Sequence, residues 1–128
     1  MKLKFTASAV IAAALTLTAC ATSPTGRNQV LLYSETQLAQ MGDQAFTGMK
    51  EELKISNKAV QNSYVECVAN AITAQVPASV FNGQWEVVVF DDEQVNAFAL
   101  PGGKIGVYTG LLKVAENQHQ LAAVIGHE

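Results

Sequence analysis

The residues with a distinctive chemistry to offer are the last two, His127 and Glu128. They close an apolar run, Leu121-Ala122-Ala123-Val124-Ile125-Gly126, that reads as a helix. A histidine followed by a glutamate at such a point is the first half of the pattern His-Glu-x-x-His. In that pattern, histidines four residues apart share one helical face and reach a single zinc ion, while the intervening carboxylate takes a proton from the bound water. Zinc lowers the pKa of that water from about 16 toward about 7 and polarises the carbonyl under attack. An apolar helix suits this work because a dry surrounding strengthens charge interactions. Only half of the pattern is present. A second histidine and a third ligand are therefore expected beyond residue 128, since catalytic zinc takes three protein ligands. By itself the chain is expected neither to hydrolyse peptides nor to hold stoichiometric zinc. His119 reads as a surface position with no role, and Asp91-Asp92-Glu93 reads as a solvated acidic turn rather than a metal site.

The helix that carries the pair needs a start, and Asn117 with Gln120 three residues on supplies it. Upstream, Ser34-Glu35-Thr36-Gln37 fits a capping box, and Leu38, Met41, Ala45, Phe46, Met49 and Leu53 recur at helical spacing behind it. A second helix is expected from Ser56 or Asn57 to just before Pro77, with Val60, Tyr64, Cys67, Val68, Ala71 and Ile72 on its buried face. Valine-rich Trp85 to Phe90 predicts a strand. Asn96 to Leu100 and Lys104 to Thr109 predict two more, joined as a hairpin through Pro101-Gly102-Gly103, and Gly110-Leu111-Leu112 opens a short helix. Helices first, strands in the middle and a helix at the end argue for an α+β fold rather than a parallel α/β sheet.

The amino-terminal segment has another purpose. Lys2 and Lys4 precede an uncharged apolar run from Phe5 to Leu17, the layout of a secretory signal peptide too short to serve as a permanent membrane span. Leu17-Thr18-Ala19-Cys20 resembles the bacterial lipobox, in which the cysteine becomes the lipid-bearing first residue. The resemblance implies several acyl chains on Cys20, and several chains anchor stably where one does not. Ala21 stands where an aspartate would retain such a protein in the inner membrane, so the expected location is the periplasmic face of the outer membrane of a Gram-negative cell. Residues 1–19 are thus read as the leader and 20–33 as the lipidated cysteine and tether. Of the tether, Ala21 to Asn28 is read as extended and spans at most about 26–29 Å. The chain carries a formal charge of −3, and loss of Lys2 and Lys4 leaves it more acidic still. With no basic patch, nucleic acid is not an expected partner. Cys67 is left either as a thiol buried on its helix or as half of a disulfide to a cysteine further along.

Two stretches resemble the HtpX-like, CAAX-prenyl-protease-like zinc metallopeptidases, metallopeptidase family forty-eight. Asn96-Ala97-Phe98-Ala99-Leu100-Pro101-Gly102-Gly103-Lys104-Ile105-Gly106-Val107-Tyr108-Thr109-Gly110-Leu111-Leu112 is similar to the family's strand–turn–strand signature. Leu121 to Glu128 is similar to its active-site helix up to the glutamate, and Thr25-Gly26-Arg27 resembles its periplasmic lipoprotein branch. The resemblance implies that residues 34–128 are the amino-terminal part of a zincin-like metallopeptidase domain. It implies that His127 is a zinc ligand and Glu128 the general base. It also makes Asn96, Ala97, Phe98 and Ala99 the sheet edge along which a substrate peptide lies extended. Main-chain pairing at an exposed edge binds peptides with little demand on sequence. The implied activity is zinc-dependent metalloendopeptidase action on misfolded or misassembled envelope proteins. The alternative is a membrane-anchored lipoprotein that binds unfolded chains or an assembly partner without cleaving them. Helices beyond residue 128 are expected to cover one face of the sheet.

Overall fold

The computed structural model describes residues 20–22 and 26–128. The leader over residues 1–19 lies outside the described residues, as does the Ser23–Thr25 part of the tether. Among the described residues no helix is long and apolar enough to cross a membrane. The chain divides into two units, Met1–Ser34 and Glu35–Glu128.

In the first unit, β1 (Cys20–Thr22) pairs antiparallel with β2 (Asn28–Val30), with Cys20 opposite Val30. Gly26, at φ 81°, lies in the turn between them. The segment expected to be an extended tether therefore doubles back. A lone two-stranded hairpin is marginal in water, and Val30, Leu31, Leu32 and Tyr33 stand exposed behind it.

The second unit runs α1 (Glu35–Glu52), α2 (Ala59–Thr73), β3 (Glu86–Phe90), β4 (Ala97–Leu100), β5 (Lys104–Tyr108), α3 (Thr109–Val114) and α4 (Gln118–His127). The sheet order is β3-β5-β4, with β3 parallel and β4 antiparallel to β5. The expected hairpin is present: Leu100 pairs with Lys104 across Pro101-Gly102-Gly103, and both glycines take positive φ, 89° and 74°. Side chains with a Cβ rarely adopt that conformation, which is why this triplet turns so tightly. The fold is α+β with a small mixed sheet, and its one parallel pair, β3 with β5, departs from a pure hairpin arrangement.

Alternation along the strands builds two cores. On one face Val89, Ala97, Ile105 and Val107 meet Val65, Val68 and Ala69 of α2 and Leu121 and Ile125 of α4. On the other, Phe90 and Tyr108 meet Phe46 of α1, with Met49, Leu53, Phe98 and Leu100 packed around them. Phe46 and Phe90 are edge-to-face with ring centroids 6.1 Å apart, and burying each ring stabilises the domain by roughly 1.5–3 kcal/mol. Phe98 lies across Gly106, its register partner, where an added Cβ would fall 2.1 Å from the ring. The described helices thus cover both faces. α2 and α4 pack on one face and α1 on the aromatic one.

Two expectations about helices change. α2 begins at Ala59 rather than at Ser56 or Asn57, and its N-cap, Lys58, makes no side-chain cap. Ser56 is committed elsewhere: its N–H donates to the Val89 carbonyl at 2.8 Å, so its backbone is strand-like. The buried stripe of α2 is Val65, Val68 and Ala69, with Ile72 packed beside it, whereas Val60, Tyr64, Cys67 and Ala71 are exposed. Both stripes are apolar at helical spacing, and the sheet selected the first. Cys67 is accordingly an exposed free cysteine and not a buried one.

Candidate functional site

α4 is held at its start by local chemistry and along its length by packing. At its start the Asn117 side chain accepts from the N–H groups of His119 and Gln120 at 3.0 and 3.1 Å. The Gln120 side chain in turn accepts from the Glu116 N–H at 2.8 Å. These contacts satisfy donors that a helix start otherwise leaves open. Along its length Leu121 and Ile125 are buried against α2 and the sheet. The last turn then projects: His127 is the final helical residue, Glu128 is the C-cap, and both are exposed. A helix anchored on one face by Leu121 and Ile125 thus presents the imidazole of His127 and the carboxylate of Glu128 in its exposed last turn. His119, at the start, is exposed.

The strand expected to receive a peptide, β4, is an edge of the sheet and contacts α4. The N–H of Tyr108 donates to the carbonyl of Asn96 at 3.2 Å. That contact makes 96/108, 98/106 and 100/104 the hydrogen-bonded pairs of the ladder. The N–H and C=O groups of Ala97 and Ala99 therefore point the other way, along an edge that no described strand occupies. The four residues Asn96–Ala99 divide their side chains. Ala97 is buried toward α2 and α4, Phe98 packs in the aromatic core, and Asn96 and Ala99 are exposed. Backbone, rather than side chain, is what this edge offers.

A feature the sequence did not disclose adjoins Ala99. A cleft of about 500 Å³ opens between the first turn of α1, the 80–85 loop and the Pro101–Gly103 turn, with Ala99 in its wall. Phe81 and Trp85 line it as a T-shaped pair, ring centroids 4.7 Å apart. The Phe81 ring lies against Gly103, where any Cβ would come within 2.5 Å of it. Its walls come from separate stretches of chain, so no single motif could have signalled it.

The charges nearby are structural. Glu86 takes hydrogen bonds from Lys104 and from Lys50, which hold its carboxyl below the usual carboxylate range, Lys104 contributing most. The acidic turn is not simply solvated. Asp91 pairs with Lys54 at 2.6 Å, which lowers its pKa, and Glu93 pairs with Lys113 at 2.6 Å. The Asp92 carbonyl accepts from Thr109 Oγ1 at 2.9 Å. Among the described residues no three His, Cys, Asp or Glu side chains gather closely enough to hold a metal ion. His127 is a single donor, so the residues present do not by themselves fit a zinc site.

Comparison with known proteins places these features. Residues 56–128 match the Peptidase family M48. The chain is 34% identical over 109 residues to the zebrafish (Danio rerio) protein "Metalloendopeptidase OMA1, mitochondrial", covering 81% of this chain and 23% of that one. It is 37% identical over 98 residues to "Mitochondrial metalloendopeptidase OMA1" of Arabidopsis thaliana, covering 73% and 19%. It is 24% identical over 92 residues to the "Beta-barrel assembly-enhancing protease" of Escherichia coli, covering 72% and 18%. The chain spans about a fifth of the length of these relatives.

Proposed function

Since this chain belongs to peptidase family M48, a family of zinc-dependent metalloendopeptidases, we propose that it supplies the front half of such a centre and the strand edge that feeds it. In this reading His127 is one zinc ligand and the remaining donors come from protein outside these 128 residues. Glu128 takes the proton of the attacking water and returns it to the departing amine. The outward N–H and C=O groups of Ala97 and Ala99 hold the peptide extended, Phe98 lies between them in β4, and Asn96 directly precedes the strand. The observation that carries the proposal is the juxtaposition, within one matched domain, of an open edge strand and the half-buried helix that carries His127 and Glu128.

The setting we propose is the periplasmic face of a bacterial outer membrane, with Cys20 lipidated and misassembled envelope proteins as substrates. The lipobox-like Leu17–Cys20 and the similarity to an enzyme named for β-barrel assembly support it. In a protein carrying the whole family domain, Glu128→Gln is expected to lower casein hydrolysis by about 10²–10⁴-fold while leaving zinc content unchanged. Full activity in that variant would refute the assignment. The second reading, capture of unfolded chains without cleavage, draws on the free edge of β4, whose backbone groups can pair with a strand of any sequence. Peptide binding that persists in a domain-complete protein with no zinc uptake would favour it.

A further inference from the structure

We infer that the Phe81–Trp85 cleft is a side-chain pocket for the peptide that pairs with β4, and that it selects extended chains carrying one large apolar or aromatic residue. The inference builds on the peptide-binding edge proposed above and adds the substrate class. The unpaired backbone groups of Ala97 and Ala99 can hold a strand of any sequence, because every residue brings an N–H and a C=O. Ala99 is also a wall of the cleft, so a strand paired there runs directly past its mouth. Alternate side chains of that strand point to one face, and one of them falls over the cleft. Phe81, Trp85, Leu38, Leu100 and Pro101 give the cleft an apolar lining with two aromatic rings. A cleft of about 500 Å³ admits a phenylalanine or tryptophan side chain with room to spare. Glu35, at the first position of α1, is its one ionisable lining residue. The occupant is thus an extended, exposed stretch of polypeptide with a bulky apolar residue, the kind that a folded protein hides and a misfolded one shows.

Trp85 is the chain's single tryptophan, so its emission reports on the cleft directly. The test titrates the full chain with an uncharged, blocked seven-residue peptide carrying one central Phe, and with its Ala counterpart. The Phe peptide is expected to bind at least about tenfold more tightly, as burial of an aromatic side chain implies, and to shift the Trp85 emission. Val80→Asp, at the exposed mouth of the cleft, should abolish the difference between the peptides. Thr36→Asp, also exposed there, should do the same and guards against a fold defect in the first variant. Ala99→Pro removes one outward donor, so it should weaken both peptides while preserving their ratio. Equal affinities with the emission unmoved would overturn the pocket and leave the edge standing. Phe-peptide binding indifferent to Ala99→Pro would mean that the cleft binds free aromatics, and would overturn it too. So would emission that shifts with protein concentration alone, because a second copy of the chain would then fill the cleft. None of these readouts depends on zinc or on hydrolysis, so the metallopeptidase reading stands or falls separately.

Discussion

The two edges of the three-stranded sheet differ in what covers them. Along β3, the stretch from Lys54 to Ser56 forms a short antiparallel bridge: Asp91 donates to the Lys54 carbonyl at 2.7 Å and Ser56 donates to that of Val89 at 2.8 Å. The Lys54–Asp91 ion pair sits on the same side. Along β4 no described strand or bridge engages Ala97 or Ala99, and an aromatic cleft opens beside them. Exposed edges invite pairing with other chains, and proteins block those they do not use. One edge here is blocked with backbone and charge, and the other is left free next to a pocket. That asymmetry supports the proposal that β4 is the edge kept for a ligand.

Four substitutions test the contrast, in descending order of effect. Phe90→Ala removes a fully buried ring at the blocked end of β3 and should cost about 3–5 kcal/mol, seen as a lower denaturation midpoint in urea. A loss under 1 kcal/mol would mean the aromatic layer is looser than it appears. Ser56→Pro deletes the donor to Val89 and should cost about 1–3 kcal/mol. It should also speed amide exchange of Asp91, whose N–H donates to the Lys54 carbonyl in the same bridge; unchanged exchange there would show that the bridge does not protect this edge. Glu86→Gln removes the carboxylate held by Lys104 and Lys50. The depressed pKa means that the charged form stabilises the fold above the ordinary value of 4.5, and that the benefit is lost as pH falls through the lowered value. Wild type should therefore outlast the variant in thermal melts at pH 7, and the two should converge at acid pH. A gap independent of pH would show that the ion pairs are not its cause. Ala99→Pro, on the free edge, should change stability by no more than about 0.5 kcal/mol, because the donor it removes bonds to no strand. A large loss would mean that this edge is already engaged.

Much of the fold was legible because its signals are local. The Pro101-Gly102-Gly103 turn, the Asn117 cap and the valine-rich β3 are each specified within a few residues, and each stands where the sequence put it. α2 was misread because it carries two apolar stripes. Val60, Tyr64, Cys67 and Ala71 satisfy helical spacing as well as Val65, Val68, Ala69 and Ile72 do, and only contact with the sheet separates them. Ser56 or Asn57 looked like the start of the helix, but a non-local bond to Val89 had claimed the Ser56 backbone. For the candidate site, His127 and Glu128 could be named from the half-motif and the family resemblance, and the strand edge from that resemblance. The cleft could not, since its walls come together only in three dimensions.

β5 lies between the other two strands, yet it is the last of the three to be made. On a ribosome, β3 and β4 emerge with no partner for either ladder until Lys104–Tyr108 follow. Both ladders therefore close only once β5 is made, and until then the edge of β3 that β5 covers stays unpaired. The edge proposed to take in stray strands would thus belong to a sheet whose own strands start out unpaired.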